Sequence, residues 1–208
     1  MLEGKALTAA LEEIDPAAFH GIVFRCVSLR ALLGLKNDAG RLLITRPNPD
    51  FLYAGGPVKL GGRFTPKGGA PSLYTSETEN TARLEKRQAA FGTFRKKQHG
   101  IEVAYALGAT LSAVLDLTNS AVVDRLETSR NEIIEPWRYR PDGTTPPTHV
   151  LGVAVTGSKR FSAIRYPSAA NPRGRCIVVF SELIQTGETI ALIDQDSIFN
   201  QIMRLAAS

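Results

Sequence analysis

"LGGRFTPKGGAPSLYTSETENTARLEK", residues 60–86, decides how this chain is read. Gly61 and Gly62 precede Arg63. A Pro/Gly turn follows, then a short apolar tip ending in Tyr74. The segment then enters a helix that carries Glu85 on a face otherwise made of leucine and alanine. One loop–strand–helix unit thus holds an Arg, a Tyr and a Glu. Residues 71–76 read as a strand. Ser76 is placed to cap the next helix, with Glu79 three positions later completing a capping box. That helix is expected over about 78–98, where Ala82, Glu85 and Ala89 share one face by their spacing.

Working outward, residues 5–13 read as a short helix closed by Asp15-Pro16, and 20–28 as a β-rich run containing Arg25. Residues 29–60 read as irregular, with a turn at "LKNDAG", a short strand "RLLIT" and a loop "RPNPD". They look like an insertion ahead of the glycine pair. Downstream, 109–117 reads as a strand and "NSAVVDRLE" as a helix. A loop, "EPWRYRPDGTTPPT", leads to a Pro-started helix over 147–157. "SAIRYPS" and "GRCIVVF" read as strands joined by the turn "AANPRG", and "TIALID" as a last strand. Strands and helices are mixed, so the class is α+β.

The 208 residues fit one domain, and a hydrophobic content of 43% can bury a core. Charged residues at 22% are ordinary and argue against disorder. Twenty-five Lys and Arg against twenty Asp and Glu give +5 and a pI near 9.4. That mild excess suits an anionic ligand or acidic partner and is too dispersed to imply nucleic-acid binding. Cys26 and Cys176 match no zinc or redox spacing, which favours free thiols in a reducing compartment. The acidic N-terminal stretch lacks the pattern of a signal peptide, and no apolar run is long enough to span a membrane. A cytoplasmic location is expected.

No G-x-G-x-x-G follows a strand, and "GGPVKLGG" lacks the Lys-Ser/Thr of a phosphate loop. His20, His99 and His149 are scattered, so no metal site is expected. "FRKKQHG", 94–100, reads as cations at a helix end, and Trp137 as a loop anchor or part of a partner surface. The chemistry concentrates in the opening stretch. An Arg guanidinium is a rigid fork for pyrophosphate or carboxylate. Glycines such as Gly62 let a backbone approach a ligand closely. A Tyr stacks on flat rings and hydrogen-bonds. A carboxylate orients a ribose hydroxyl or stabilises an oxocarbenium-like centre. Together these suit a site that grips a dinucleotide and breaks its nicotinamide–ribose bond. Taken singly, each residue has a plainer reading: Glu85 on a solvated helix face, Tyr74 as a half-buried strand aromatic, Arg63 as a loop brace, Gly61-Gly62 as a turn, and Ser168 as a turn hydroxyl.

The order and spacing resemble the RES-domain family. "GGRFTPKGG", "SLYTSE" and "ARLE" are similar to its Gly-Gly-Arg, apolar-Tyr and Leu-Glu motifs. "VFRCVS" resembles its opening strand with Arg25, and "VLDLTN" its Asp-Leu-Thr strand. "HVLGVAVTGSKRFSAIRYPSAANPRGRCIVVF" resembles its closing helix, Tyr-Pro-Ser turn and final strand. The resemblance covers about residues 19–181. Thr65 stands where the family usually has Asn, Cys26 follows Arg25 where some members carry an aromatic, and the stretch between Arg25 and Gly61 is longer than in compact members.

The resemblance implies an ADP-ribosyltransferase-like α+β core of two small β-sheets with flanking helices. It implies the toxin of a toxin–antitoxin pair acting on NAD, by phosphorolysis or hydrolysis. An ADP-ribosyltransferase acting on a host protein is the alternative, and a non-catalytic basic binding module a weaker one. Arg63, Tyr74, Glu85 and Ser168 match the catalytic positions. Arg25, Gly62, Arg63 and Tyr74 would contact NAD. Arg25 and Arg63 would hold pyrophosphate or an incoming phosphate, Tyr74 would pack on the nicotinamide side, and Glu85 would stabilise the cationic ribose. Ser168 would bond the ribose or orient Glu85. The implied partner is an antitoxin with a helix-turn-helix DNA-binding part; a homodimer is left open, and neither a membrane nor a nucleic acid is expected as a direct partner.

Overall fold

The computed structural model describes residues 1–34, 36–38, 41–43, 49–91, 101–138, 143–196 and 202–203. Helix α1 (Gly4–Glu13) buries Leu7, Ala10 and Leu11, a stripe at helical spacing, and ends ahead of Pro16. Strand β1 (Ala17–Ser28) begins three residues earlier than the sequence suggests. Within the stretch expected to be irregular, α2 (Leu29–Leu33) is capped by Ser28, whose Oγ accepts from the Ala31 amide, and closed by Gly34 in the left-handed region. A hairpin of β2 (Lys36–Asp38) and β3 (Arg41–Leu43) follows, then α3 (Gly55–Leu60).

Strand β4 (Ser72–Ser76) leads to α4 (Glu79–Phe91); residues 92–98 of the expected helix and the basic run 94–100 lie outside the described residues. Thr78, not Ser76, caps α4: its Oγ1 accepts from the Thr81 amide at 3.2 Å. Ser76 is still in the strand, with its hydroxyl buried 3.4 Å from the Cys176 sulfur. Strand β5 (Glu102–Asp116) is much longer than expected. The alanines and Gly108 at 104–109 have weak strand propensity, but pairing along β1 overrides it. Helices α5 (Ser120–Arg125) and α6 (Arg130–Ile134) follow. The sequence reading missed α6, although Ser129 caps it through the Glu132 amide and Ser129-x-x-Glu132 is a capping-box pattern. Helix α7 (Pro147–Ser158) starts on its proline, and β6 (Ala163–Pro167), β7 (Arg175–Phe180), β8 (Thr189–Leu192) and β9 (Ile202–Met203) complete the chain.

Hydrogen bonding connects seven strands in the order β1-β4-β7-β6-β5-β8-β9, and β1 also pairs with β5. The α+β class therefore holds, while the two small sheets expected from the sequence are joined as limbs of one sheet. β5 is antiparallel to β1 along nearly its whole length and parallel to β6 over Val114–Asp116. β1 meets β4 at a single pair, Phe24 with Ser76. That pair closes a ring of five strands, and beyond it the two strands part.

The residues of β7 alternate between two cores. Cys176, Val178 and Phe180 join Leu7, Leu11, Leu151 and Val155 beneath α1 and α7. Ile177 and Val179 face inward with Val23, Leu73, Leu107 and Ile190. The apolar run in "RCIVVF" thus follows from burial on both faces. At about 25 cal/mol per Å² of apolar surface, such a strand contributes far more than its ladder of hydrogen bonds alone.

Candidate functional site

Where β1 and β4 separate, a cleft of about 540 Å³ opens. Arg25, Gly62, Arg63, Tyr74 and Glu85 all line it. Ser168 is buried behind Glu85 and does not itself line the cleft.

Glu85 lies in the second turn of α4, half-buried. Its Oε1 accepts from Ser168 Oγ at 2.5 Å, the Ala169 amide at 3.0 Å and the Ala170 amide at 3.3 Å. The Cys176 sulfur is 3.9 Å from the same oxygen. Oε2 has no protein partner among the described residues. One oxygen is therefore anchored and the other is unpaired. Ser168 Oγ also accepts from the Ala170 and Asn171 amides, so it ties the turn to itself and to Glu85 at once. One helical turn earlier, Asn171 Nδ2 donates to Thr81 Oγ1 at 2.9 Å. The turn after β6 thus grips α4 at i and i+4, which fixes the carboxylate along the helix axis. Burial pushes the Cys176 thiol up to about 12, with the Glu85 charge adding to the shift, so this sulfur stays protonated.

Arg63 is buried, and its Nη1 donates to the carbonyls of Ile133 at 2.7 Å and Glu135 at 2.8 Å. Those carbonyls close α6, so Arg63 is a brace as well as a cleft residue. No buried side-chain nitrogen or oxygen among the described residues lacks a partner, so the remaining guanidinium donors are open to the cleft. Tyr74 is positioned by its hydroxyl, which accepts from the Phe64 amide at 2.9 Å and lies 3.1 Å from Thr65 Oγ1. Burial raises its phenol to about 12. A Cβ at residue 62 would come within 2.5 Å of that hydroxyl. Gly62 is thus required by the tyrosine, independently of any ligand. Thr65 bonds Ser72 Oγ at 2.7 Å, so the residue standing in place of the family's Asn keeps the loop internally bonded. The loop packs on α7 at Gly152, where a Cβ would sit 1.8 Å from the Phe64 carbonyl oxygen.

Arg25 reaches from β1 across the end of the expected insertion. Its Nη1 donates to the Tyr53 carbonyl at 3.0 Å and the Phe51 carbonyl at 3.3 Å. Tyr105 also donates to the Phe51 carbonyl, at 2.8 Å, and the two rings meet edge to face.

The cleft holds residues that sequence reasoning did not assign. Lys86 and Arg138 line it beside the two expected arginines. Arg138 is exposed as a residue, yet its guanidinium is desolvated enough to lower its pKa, with Arg63 adding to that shift and Glu85 opposing it. It lies 4.5 Å from the centre of the Trp137 ring, a cation–π contact. Trp137 lines the cleft, touches the position of Gly61 and stands 5.7 Å from the His149 ring. His149 Nε2 donates to the Gly62 carbonyl at 2.8 Å, and burial lowers its pKa, so it is neutral near pH 7. Its partner is a backbone carbonyl, which no sequence motif announces. The Asp of "VLDLTN", Asp116, bonds Thr118 and pairs with Arg165, which also pairs with Glu77 at 2.6 Å. Among the described residues, no three of His, Cys, Asp and Glu gather as metal ligands would.

The cleft carries four cations and a single carboxylate, so its field favours an anion. No curated protein matches the chain. Among solved structures, a chain of the crystal structure of the M. tuberculosis MbcT-MbcA toxin-antitoxin complex is similar in fold, with a TM-score of 0.65 at 19% identity. The match covers 92% of this chain and 91% of that one. The model of the RES domain matches residues 41–198, which takes in every site residue discussed above except Arg25. On that match, which spans most of its length, the chain belongs to the RES domain family.

Proposed function

We propose that this protein is the toxin of a toxin–antitoxin pair and that it cleaves the nicotinamide–ribose bond of NAD. One observation carries the reading: Glu85 has Oε1 held by three donors and Oε2 open to a cleft rich in cations. The bond that breaks is the glycosidic C–N bond, whose electron pair leaves with neutral nicotinamide. Positive charge then develops on the ribose, and a fixed carboxylate beside it is the group such a transition state needs. Because the carboxylate is oriented before the substrate arrives, little reorganisation remains for the reaction itself. Arg63 and Arg25 would bind pyrophosphate or an incoming phosphate. Membership of the RES family and the likeness to a chain from a toxin–antitoxin complex both support this assignment.

The same reading takes the chain as one ADP-ribosyltransferase-like domain with an insertion over about 29–60, working in the cytoplasm. Its partner would be an antitoxin with a helix-turn-helix DNA-binding part that blocks the cationic cleft with an acidic or carboxylate-ended segment. No helix among the described residues is long and apolar enough to cross a membrane.

The test is incubation of purified protein with NAD, with and without phosphate, followed by identification of the products. Nicotinamide appearing with free ADP-ribose identifies water as acceptor, and ADP-ribose carrying a new phosphate identifies phosphorolysis. ADP-ribose found on protein supports transfer instead. NAD left intact by folded protein removes the proposal.

A further inference from the structure

The cleft contains a cation with no acidic partner among the described residues. Lys86 follows Glu85 on α4, is half-buried and lines the cleft. On a helix its natural ion-pair partners lie at i±3 and i±4. Those positions are Ala82, Arg83, Ala89 and Ala90, so the helix supplies no carboxylate. Arg83 is itself engaged with Glu79, at 2.7 Å. The remaining cations of the cleft differ from Lys86. Arg63 and Arg25 each commit one terminal nitrogen to two backbone carbonyls, and Arg138 rests on Trp137. Lys86 also lies close enough to Cys26, the residue after Arg25, for its charge to act on that thiol. Lys86 and Cys26 both line the cleft, one from α4 and the other from β1.

A lysine half-withdrawn from water without a counter-ion costs free energy unless a ligand supplies the negative charge. An ammonium on a flexible stem is a point charge that adapts to phosphate oxygens without demanding a bidentate partner. We propose that Lys86 is a binding and specificity-determining residue of the cleft, the ammonium contact for a pyrophosphate group. This rests on the NAD-cleaving reading for its biological sense, but the pyrophosphate contact is testable without it.

The experiment is isothermal titration of inorganic pyrophosphate into the wild-type protein and into Lys86→Gln, Lys86→Arg and Arg87→Gln. Arg87 is exposed, neighbours Lys86 and does not line the cleft, so it controls for the general loss of one positive charge. Lys86→Gln is expected to weaken pyrophosphate roughly tenfold or more, the usual size of a lost hydrogen bond to a charged group. Lys86→Arg should recover most of that loss, and Arg87→Gln should change the affinity less than about twofold. Melting temperatures of all four proteins should agree, since Lys86 holds no partner among the described residues. Equal affinity for wild type and Lys86→Gln overturns the proposal, as does an equal loss in Arg87→Gln, or a wild-type protein that ignores millimolar pyrophosphate. Titration of NAD in parallel separates the two ideas. Lys86-dependent pyrophosphate binding without NAD binding or turnover sustains the anion subsite and removes NAD as its ligand.

Discussion

Two carboxylates of this molecule are held in almost the same way and end in opposite states. Glu188 is 1% exposed. Its Oε1 accepts from the Ser112 and Ala113 amides and from the hydroxyls of Ser112 and Ser162, and its Oε2 accepts from the Gln185 amide at 2.8 Å. Both oxygens are satisfied. Desolvation alone would raise its pKa, but the hydrogen bonds from Gln185, Ser162, Ser112 and Ala113 outweigh it and leave the group below the usual range. Glu85 has the same kind of grip, a serine hydroxyl and two backbone amides, on Oε1 alone. Its second oxygen faces the cleft. The motif that fastens a carboxylate is thus common to both. What separates the structural carboxylate from the one proposed to react is that the second oxygen of Glu85 is left unpaired beside a cavity.

That comparison is most directly broken at Glu85. Glu85→Gln keeps the size of the side chain and removes the charge proposed to stabilise the ribose. NAD turnover should fall on the order of 100-fold or more, while the melting temperature should barely move. Turnover close to wild type in a folded Glu85→Gln protein would end the catalytic assignment.

Glu188→Gln should behave in the reverse manner. The amide NH₂ would confront donors on one side or the other, leaving at least one buried amide unpaired. A loss of about 2–3 kcal/mol is expected, or a melting temperature lower by roughly 5–10 °C for a chain of this size. Turnover measured well below that temperature should be unchanged. The pH dependence has a definite sign. The folded pKa of Glu188 lies below the ordinary 4.5, so its contribution is complete above that value and is lost as pH falls through the folded pKa. Denaturation curves between about pH 3 and 6 should therefore converge for wild type and variant at the acid end. A stability gap that stays constant down to the lowest pH would show that the charge of Glu188 is not what the donors stabilise.

The two sites differ as much in how they can be read from sequence. Glu85 stands out because its helix, its strand and its loop are contiguous in the chain and carry a family pattern. Glu188 sits in an unremarkable "TGETI", and every donor to its Oε1 comes from β5 or from the residue before β6, far away in sequence. Local pattern also explains the elements. α1, β4, α7, β6 and β7 announce themselves by apolar spacing or by flanking proline and glycine. The first half of β5 does not, because only its partner β1 makes a strand of an alanine-rich run. The sequence points to Ser76 as the helix cap because Ser76-x-x-Glu79 matches the capping box and Thr78-x-x-Thr81 does not, yet β4 extends through Ser76 and Thr78 caps the helix. Arg63 reads as a ligand contact or a brace. Only the position of α6, itself a missed element, reveals the two carbonyls it braces.

The smallest effect is expected at Ser168, and it tests whether the grip on Oε1 matters at all. Ser168 Oγ supplies the shortest of the three contacts to Glu85 and is buried outside the cleft. It is therefore placed to position Glu85 and not to touch a ligand in the cleft. In Ser168→Ala the amides of Ala169 and Ala170 remain, so the carboxylate loosens without being released. Turnover should drop roughly tenfold, in line with the loss of one hydrogen bond to a charged group, and it should drop in kcat with KM for NAD little changed, because the contact orients the carboxylate through Oε1 and touches no substrate. The same hydroxyl also accepts from the Ala170 and Asn171 amides, so a purely structural role would lower the melting temperature and leave kcat alone. Ser168→Thr distinguishes these readings. It retains a hydroxyl that can donate to Oε1 and adds one methyl in a buried site, where overpacking costs about 1–3 kcal/mol. Recovery of kcat in Ser168→Thr despite a lower melting temperature places the effect on the orientation of Glu85. A kcat that tracks the melting temperature across both variants would assign Ser168 to the turn alone, and the parallel between the grips on Glu85 and Glu188 would then be one of packing without consequence for catalysis.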